Sequence, residues 1–204
     1  VSRLMKSGVT GAECVAIDTS TPDLNTTRAA KKLLIGEKLT RGLGSGGAPD
    51  IGIAAVEESA EQVEKVLEGT DIAFVAAGMG GGTGTGAGPV IARMAREKGA
   101  IVVGVATLPI KMEKEKIGYA LMGLTEMRRE CDTVIVIDNN KLMQLVPQLS
   151  ISEAFKVGNS VVANIIGGVA ETISLPSLIN LDFADFRTVI KRGGVAVGGV
   201  GQSD

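Results

Sequence analysis

A chain of 204 residues, 45% of them apolar, is long enough for one sizeable core, or for one core and part of a second. Its net charge of -2 gives no bulk electrostatic reason to expect nucleic acid or an anionic membrane as partner. Histidine is absent, which excludes histidine-based triads, His-ligated metals and a His general base. Aromatic side chains make up 2% of the chain, too few for a base-stacking platform.

Cys14 and Cys131 are the only cysteines and lie far apart, which suits two small buried thiols in a reducing compartment rather than a disulfide framework. No apolar run reaches transmembrane length and no signal peptide is visible, so a cytoplasmic, soluble protein is expected. Glycine is the compositional outlier, with 28 residues clustered at 42–47, 78–88 and 193–201. Clustering of that kind marks specific backbone demands at specific places.

In chain order, Val1-Ser2-Arg3-Leu4-Met5 reads as the interior of a helix, and both ends are expected to be cut. Strands are predicted at Ala12 to Ile17, Lys32 to Ile35, Asp71 to Ala77, Ala100 to Thr107 and Asp132 to Ile137. A helix over 51–68 carries Val56, Ala60, Val63 and Leu67 on one face. Another is predicted over 86–98. A third over 114–130 has Ile117, Leu121, Leu124 and Met127 as its stripe. The longest, over 152–173, has Phe155, Val162, Ile165, Val169 and Ile173. Val195-Ala196-Val197 reads as a last strand. Continuous apolar strands alternating with amphipathic helices predict an α/β fold, a mainly parallel Rossmann-like sheet with helices on both faces. Ligands in such sheets bind at the carboxyl ends of the strands, which directs attention to the loops after Ile17, Ile35, Ala77, Thr107 and Ile137.

The loop after Ala77 is Gly78-Met79-Gly80-Gly81-Gly82-Thr83-Gly84-Thr85-Gly86. It leaves a buried strand and opens a helix, a place where a flexible linker is out of context. Amides without Cβ atoms can close on an anion, the helix dipole favours that anion, and Thr83 and Thr85 add hydroxyls. No Gly-Lys-Ser/Thr occurs, so this is not a Walker loop. Gly82, Gly84 and Ala87 match Gly-x-Gly-x-x-Ala, but the next strand ends in Thr107 where a dinucleotide site needs an acid for the ribose. That weighs, with the missing histidine, against a dinucleotide-dependent oxidoreductase.

Gly80-Gly81-Gly82-Thr83-Gly84-Thr85-Gly86 resembles the signature of the tubulin and FtsZ family. Other segments agree in order: Thr40 to Gly47 resembles the family's loop beside the γ-phosphate, Asp138 to Leu142 its loop near the sugar, and Asn180-Leu181-Asp182-Phe183-Ala184-Asp185 the loop that completes a neighbour's site. The resemblance runs the length of the chain and is closer to FtsZ than to eukaryotic tubulin.

The resemblance implies a GTP-binding, self-polymerising protein of prokaryotic cell division. Gly80 to Gly86 (Gly80, Gly81, Gly82, Thr83, Gly84, Thr85 and Gly86) would cradle the phosphates, and Gly46 and Gly47 would approach the γ-phosphate. Thr107, Pro109 and Asn140 would belong to the nucleotide site, and Glu113 would hold the ribose. Phe155 would pack on the guanine, and Asn159, four residues on, would read the base edge. Asp182, Asp185 and Asn180 would act on the nucleotide of the next subunit, orienting and polarising water. An N-cap with an acidic first turn is the plainer reading of Asp182 and Asp185, compatible with the first. Hydrolysis would then require head-to-tail association.

The resemblance further implies GTP or GDP with Mg2+, no metal held by the protein itself, division-associated partners, no nucleic acid, no membrane insertion and a place at the mid-cell division site. The expected division is a GTP-binding domain over 1–150, a linking helix and loop over 151–178, and over 179–204 the catalytic loop and opening of a C-terminal domain. The family's first Gly-rich loop would precede Val1. Two departures stand out. Ile117 occupies a position where the family commonly has Arg, with Lys114 or Lys116 as stand-ins, and Asp18-Thr19-Ser20 replaces Asn-Thr-Asp. They motivate a second reading, a scaffold paralogue that polymerises but hydrolyses poorly, against which the retained Asp182 and Asp185 argue.

Overall fold

In chain order, the computed structural model describes Met5 and residues 12–174. Two β-α units open it. Strand β1 is Val15–Asp18, helix α1 Thr21–Thr26, strand β2 Lys31–Leu34 and the one-turn helix α2 Glu37–Thr40. Helices α3, Pro49–Glu58, and α4, Ala60–Leu67, follow. Then come β3, Ile72–Gly78, α5, Gly82–Glu97, and β4, Ile101–Leu108. Helix α6 is Lys114–Glu130, β5 Thr133–Asp138, α7 Asn139–Leu145 and α8 Ile151–Ser174.

All pairings between these strands are parallel, as the apolar runs predict. Strands β1 and β2 pair with Val15 opposite Lys31, and β3, β4 and β5 form a second sheet with β4 central. The main core lies between this second sheet and α3, α4, α5 and α6, around Val56, Val63, Ala92, Val102 and Met127. On the opposite face Ala163 and Ile166 of α8 pack with Val105, Phe74 and Ile135. Helices thus cover both faces.

The differences from the sequence reading have local causes. Among the described strands only β4 is buried along most of its length, and Ala76 of β3 is exposed. The helix predicted over 51–68 breaks at Ser59, whose hydroxyl accepts the Gly36 amide at 2.9 Å. Beside it, Glu58 accepts the Lys38 and Leu39 amides at 2.9 and 3.0 Å, capping α2. On α6 the buried positions are Ala120, Gly123, Leu124 and Met127, while Ile117 and Leu121 are exposed. The expected stripe was right in its lower half and turned outward in its first two turns. On α8 the buried positions are Ala154, Gly158, Ala163, Ile166, Gly167 and Ala170, mostly one residue out of step with the apolar stripe, whose Phe155, Val162, Ile165 and Val169 are half-buried. Small residues let that helix lie close to its neighbours. The short helices α1, α2 and α7 were read as loops because one or two turns leave no periodicity to detect. Residues 193–204 lie outside the described residues.

Cys131 sits at the start of β5 beneath Gly104 and is buried. Burial pushes its thiol up to about 12. At pH 8 it should therefore react with iodoacetamide about a thousandfold more slowly than an unperturbed thiol. Alkylation followed by peptide mass mapping checks this: Cys131 should label only after unfolding.

Candidate functional site

The carboxyl ends of the strands converge on one region, and the glycine loop forms its floor. Its turn is tied down from both sides. The Met79 amide donates to Thr107 O at 2.9 Å, and the Gly80 amide donates to the Thr85 hydroxyl at 2.8 Å. Gly80 has φ +105°, a backbone conformation that L side chains rarely adopt. Gly81 is the N-cap of α5 and has no side chain to accept from the first-turn amides. A helix N-terminus with no cap of its own, opening to solvent, is suited to an anion.

The helix begins at Gly82, four residues before the predicted start at 86, so that it absorbs much of the loop. Propensity argues against this and packing wins. Cβ atoms at Gly82, Gly84 and Gly86 would run into the backbones of Ala48, Gly78 and Pro49 respectively. These glycines let three main chains touch. They shape the phosphate turn from behind, whereas Gly81 forms its open lip and Gly80 packs against Lys116.

Three hydroxyls from three loops meet there. Thr83 Oγ1 lies 2.7 Å from Thr19 Oγ1 and 3.1 Å from Ser45 Oγ. Thr19, which follows β1, is fully buried. The sequence marks Thr19 as part of Asp18-Thr19-Ser20, but its hydroxyl contact with Thr83 leaves no local pattern. The adjacent Asp18 turns back on its own chain, Oδ1 accepting the Thr19 and Ser20 amides at 2.7 and 3.1 Å. Burial raises its pKa against those hydrogen bonds. Ser20 caps α1 through the Asp23 amide. The loop holding Gly46 and Gly47 is pinned through Ser45 and by Gly44, whose amide donates to Thr19 O at 3.0 Å. Gly46 and Gly47 themselves are exposed with nothing near their Cβ positions, beside Thr83 and open to a ligand.

On the other flank, the β4–α6 loop carries Pro109 and Glu113. Glu113 Oε2 accepts the Ile110 amide at 3.2 Å and Oε1 accepts from Lys116 Nζ at 2.6 Å. That ammonium, first among the causes, holds the Glu113 carboxyl below its ordinary range. Asn140 braces the same loop, its Oδ1 accepting the Lys111 amide at 2.7 Å and its Nδ2 donating to Pro109 O at 3.2 Å. The Asn140 side-chain amide is thus hydrogen-bonded to the loop that carries Glu113. Asp138 supports it, accepting the Asn140 amide at 2.9 Å; burial raises its pKa, but hydrogen bonds from Asn140 and Lys141 and the Lys141 charge together hold it below the ordinary value.

A cleft of 1430 Å³ opens beside the helix start, and neither Gly46 and Gly47 nor Glu113 and Asn140 line it. Asp18, Thr83, Gly84, Thr107 and Asn159 line its polar end, and it runs between the sheet edges of β1 and β3 under Val162, Ala163 and Ile166 of α8. Phe155 is half-buried one turn before the exposed Asn159. Asn180, Asp182 and Asp185 lie outside the described residues. Among the described residues no group of three His, Cys, Asp or Glu can hold a metal, and no helix is long and apolar enough to cross a membrane.

A sequence model of the Tubulin/FtsZ family, GTPase domain, matches residues 5–147. The chain belongs to this family. It is 53% identical over 204 residues to Cell division protein FtsZ 2 of Methanocaldococcus jannaschii, covering 100% of this chain and 54% of that relative. It is 49% identical over 205 residues to Cell division protein FtsZ 1 of Pyrococcus horikoshii, covering 100% of this chain and 55% of that relative. The chain thus spans about half the length of the curated relatives it matches. The fold superposes on a solved M. jannaschii FtsZ dimer chain with TM-score 0.90 at 45% identity, covering 96% of this chain and 57% of that one. CetZ from Methanosaeta thermophila is more distant, with TM-score 0.73 at 27% identity over 93% of this chain and 54% of that one. The parallel α/β architecture and the family expected from the glycine signature are therefore both met.

The two classes of glycine in the loop separate by experiment. Gly84→Ala should destabilise the fold by about 1–3 kcal/mol, because its Cβ must displace the Gly78 carbonyl. Gly81→Ala, whose Cβ meets nothing within 4 Å, should cost less, about 0.5–1 kcal/mol for the poorer N-cap. Urea midpoints of the two variants check the order.

Proposed function

We propose that this chain is the nucleotide-binding part of a cell-division GTPase that polymerises head to tail and hydrolyses GTP between neighbouring subunits. The observation that carries the reading is the uncapped N-terminus of α5. Its lip is Gly81; Thr83 of its first turn meets Ser45, next to Gly46 and Gly47, and Gly80 packs against Lys116, the partner of the ionised Glu113. Phosphates would sit on the first-turn amides, where the helix dipole and unpartnered N–H groups both favour negative charge. Gly46 and Gly47 would admit the γ-phosphate, Glu113 would accept from ribose hydroxyls, and Phe155 with Asn159 would hold the guanine. Mg2+ would arrive on the triphosphate, held mainly by phosphate oxygens and water.

Assembly across this face has separate support. Leu43, Met112 and Leu145 are 81%, 78% and 78% exposed, and each belongs to a segment leaving the carboxyl end of a strand. Large apolar side chains on the ligand face suit coverage by another molecule. The relative solved as a dimer is an FtsZ. The neighbour would bring Asp182, Asp185 and Asn180 to the γ-phosphate and so position and polarise the attacking water. A non-closing head-to-tail contact gives a filament, whose interface hydrolysis would weaken. The setting would be the cytoplasm at the division site, with further division proteins as partners.

GTP turnover measured against protein concentration tests this, on the full-length protein with magnesium. Specific activity should rise from near zero above a threshold, and Asp182→Ala should abolish turnover while sparing GTP binding. Constant activity per molecule at every concentration would contradict a shared site. GTP bound without turnover would favour the scaffold reading instead.

A further inference from the structure

Glu113 and the glycine turn belong to different loops, yet one residue touches both. Lys116 Nζ donates to Glu113 Oε1 at 2.6 Å. Its backbone lies against Gly80: a Cβ there would stand 2.9 Å from Lys116 Cβ and 3.1 Å from Lys116 O. Gly80 is in turn fixed through the Thr85 hydroxyl at 2.8 Å. Residue 116 therefore sets the spacing between the phosphate turn and the acid as well as the acid's orientation. Ile117, the next residue, points outward and touches neither role.

Resting on the nucleotide reading above, we propose that Lys116 is the positioning residue for Glu113, and that the pair makes the site selective for a ribonucleotide. With Oε2 held by the Ile110 amide and Oε1 by Lys116, the carboxylate plane is fixed at two points. Each oxygen still has acceptor capacity, and the side chain is 34% exposed, so an incoming hydroxyl can reach it. An ionised carboxylate with spare lone pairs gains from a ribose hydroxyl and gains nothing from a sugar that lacks one. Among the described residues Lys116 is the cation in contact with this acid. The acid's lowered pKa keeps it in the accepting form at neutral pH. Removing the ammonium frees the carboxylate to rotate away from the ligand while leaving the phosphate turn in place.

The test compares Kd for GTP and for 2′,3′-dideoxy-GTP in the full-length protein, in Lys116→Met, Lys116→Arg and Glu113→Ala. The original protein should prefer GTP by roughly tenfold or more, as expected for hydrogen bonds to a charged group. Lys116→Met should reduce that preference to about the level of Glu113→Ala while leaving dideoxy-GTP affinity within about twofold. Lys116→Arg should restore most of it. An unchanged preference in Lys116→Met, or an equal loss for both nucleotides, overturns the proposal while leaving GTP binding intact. No preference in the original protein, or in Glu113→Ala the full original preference, overturns the ribose role of Glu113 and the proposal with it. Failure of the original protein to bind either nucleotide overturns the nucleotide reading itself.

Discussion

The structure depends on main chain touching main chain at the start of α5. Side chains at residues 82, 84 and 86 would hold the helix away from the loop at 45–49 and from the end of β3. With glycine there, the helix N-terminus sinks into the angle between strand and loop. Its dipole and free amides are then aimed at one spot from a rigid base. A longer side chain at any of the three would move the anion site. That constraint explains why so poor a helix-forming sequence starts a helix of 16 residues.

Around that base, a few polar links set the geometry. The hydroxyl junction of Thr19, Thr83 and Ser45 joins the end of β1, the helix start and the Gly46–Gly47 segment. The first turn of α5 is thereby linked to the exposed loop bearing Leu43. On the opposite flank Asp138 and Asn140 hold the β4–α6 loop, and that loop presents Glu113. Under the proposed function, the phosphates, the sugar and the subunit contact would share a single braced frame. Binding and assembly would be coupled through it without a separate hinge.

Much of this could be read from the sequence, for physical reasons. Parallel strands covered on both faces leave continuous apolar runs, and all five described strands were found within a few residues. The glycine signature was specific because each glycine has its own steric demand. Exact helix starts were not legible, since the packing that places Gly82 in a helix lies in distant segments. Neither was the outward turn of Ile117 and Leu121, because periodicity gives a stripe but not where the core ends. The hydroxyl junction of Thr19 and the hydrogen bonds by which Asn140 braces the β4–α6 loop were not legible, because hydrogen-bond partners across loops leave no mark in local sequence. The acids at 182 and 185 lie outside the described residues, so their role rests on their likeness to the family's pattern.

The most direct test of a shared site is complementation between two inactive variants. Asp182→Ala would bind GTP but offer no acid to its neighbour. Gly81→Glu would place a carboxylate in open space at the helix start, repelling phosphate without disturbing the packing, while keeping Asp182. Each alone should be inactive. Mixed at equal concentration, they should recover roughly a quarter of the original turnover if subunits alternate at random, because Asp182 from one then faces GTP on the other. A mixture as inactive as its parts, with co-assembly verified by sedimentation, would contradict a catalytic site built between subunits.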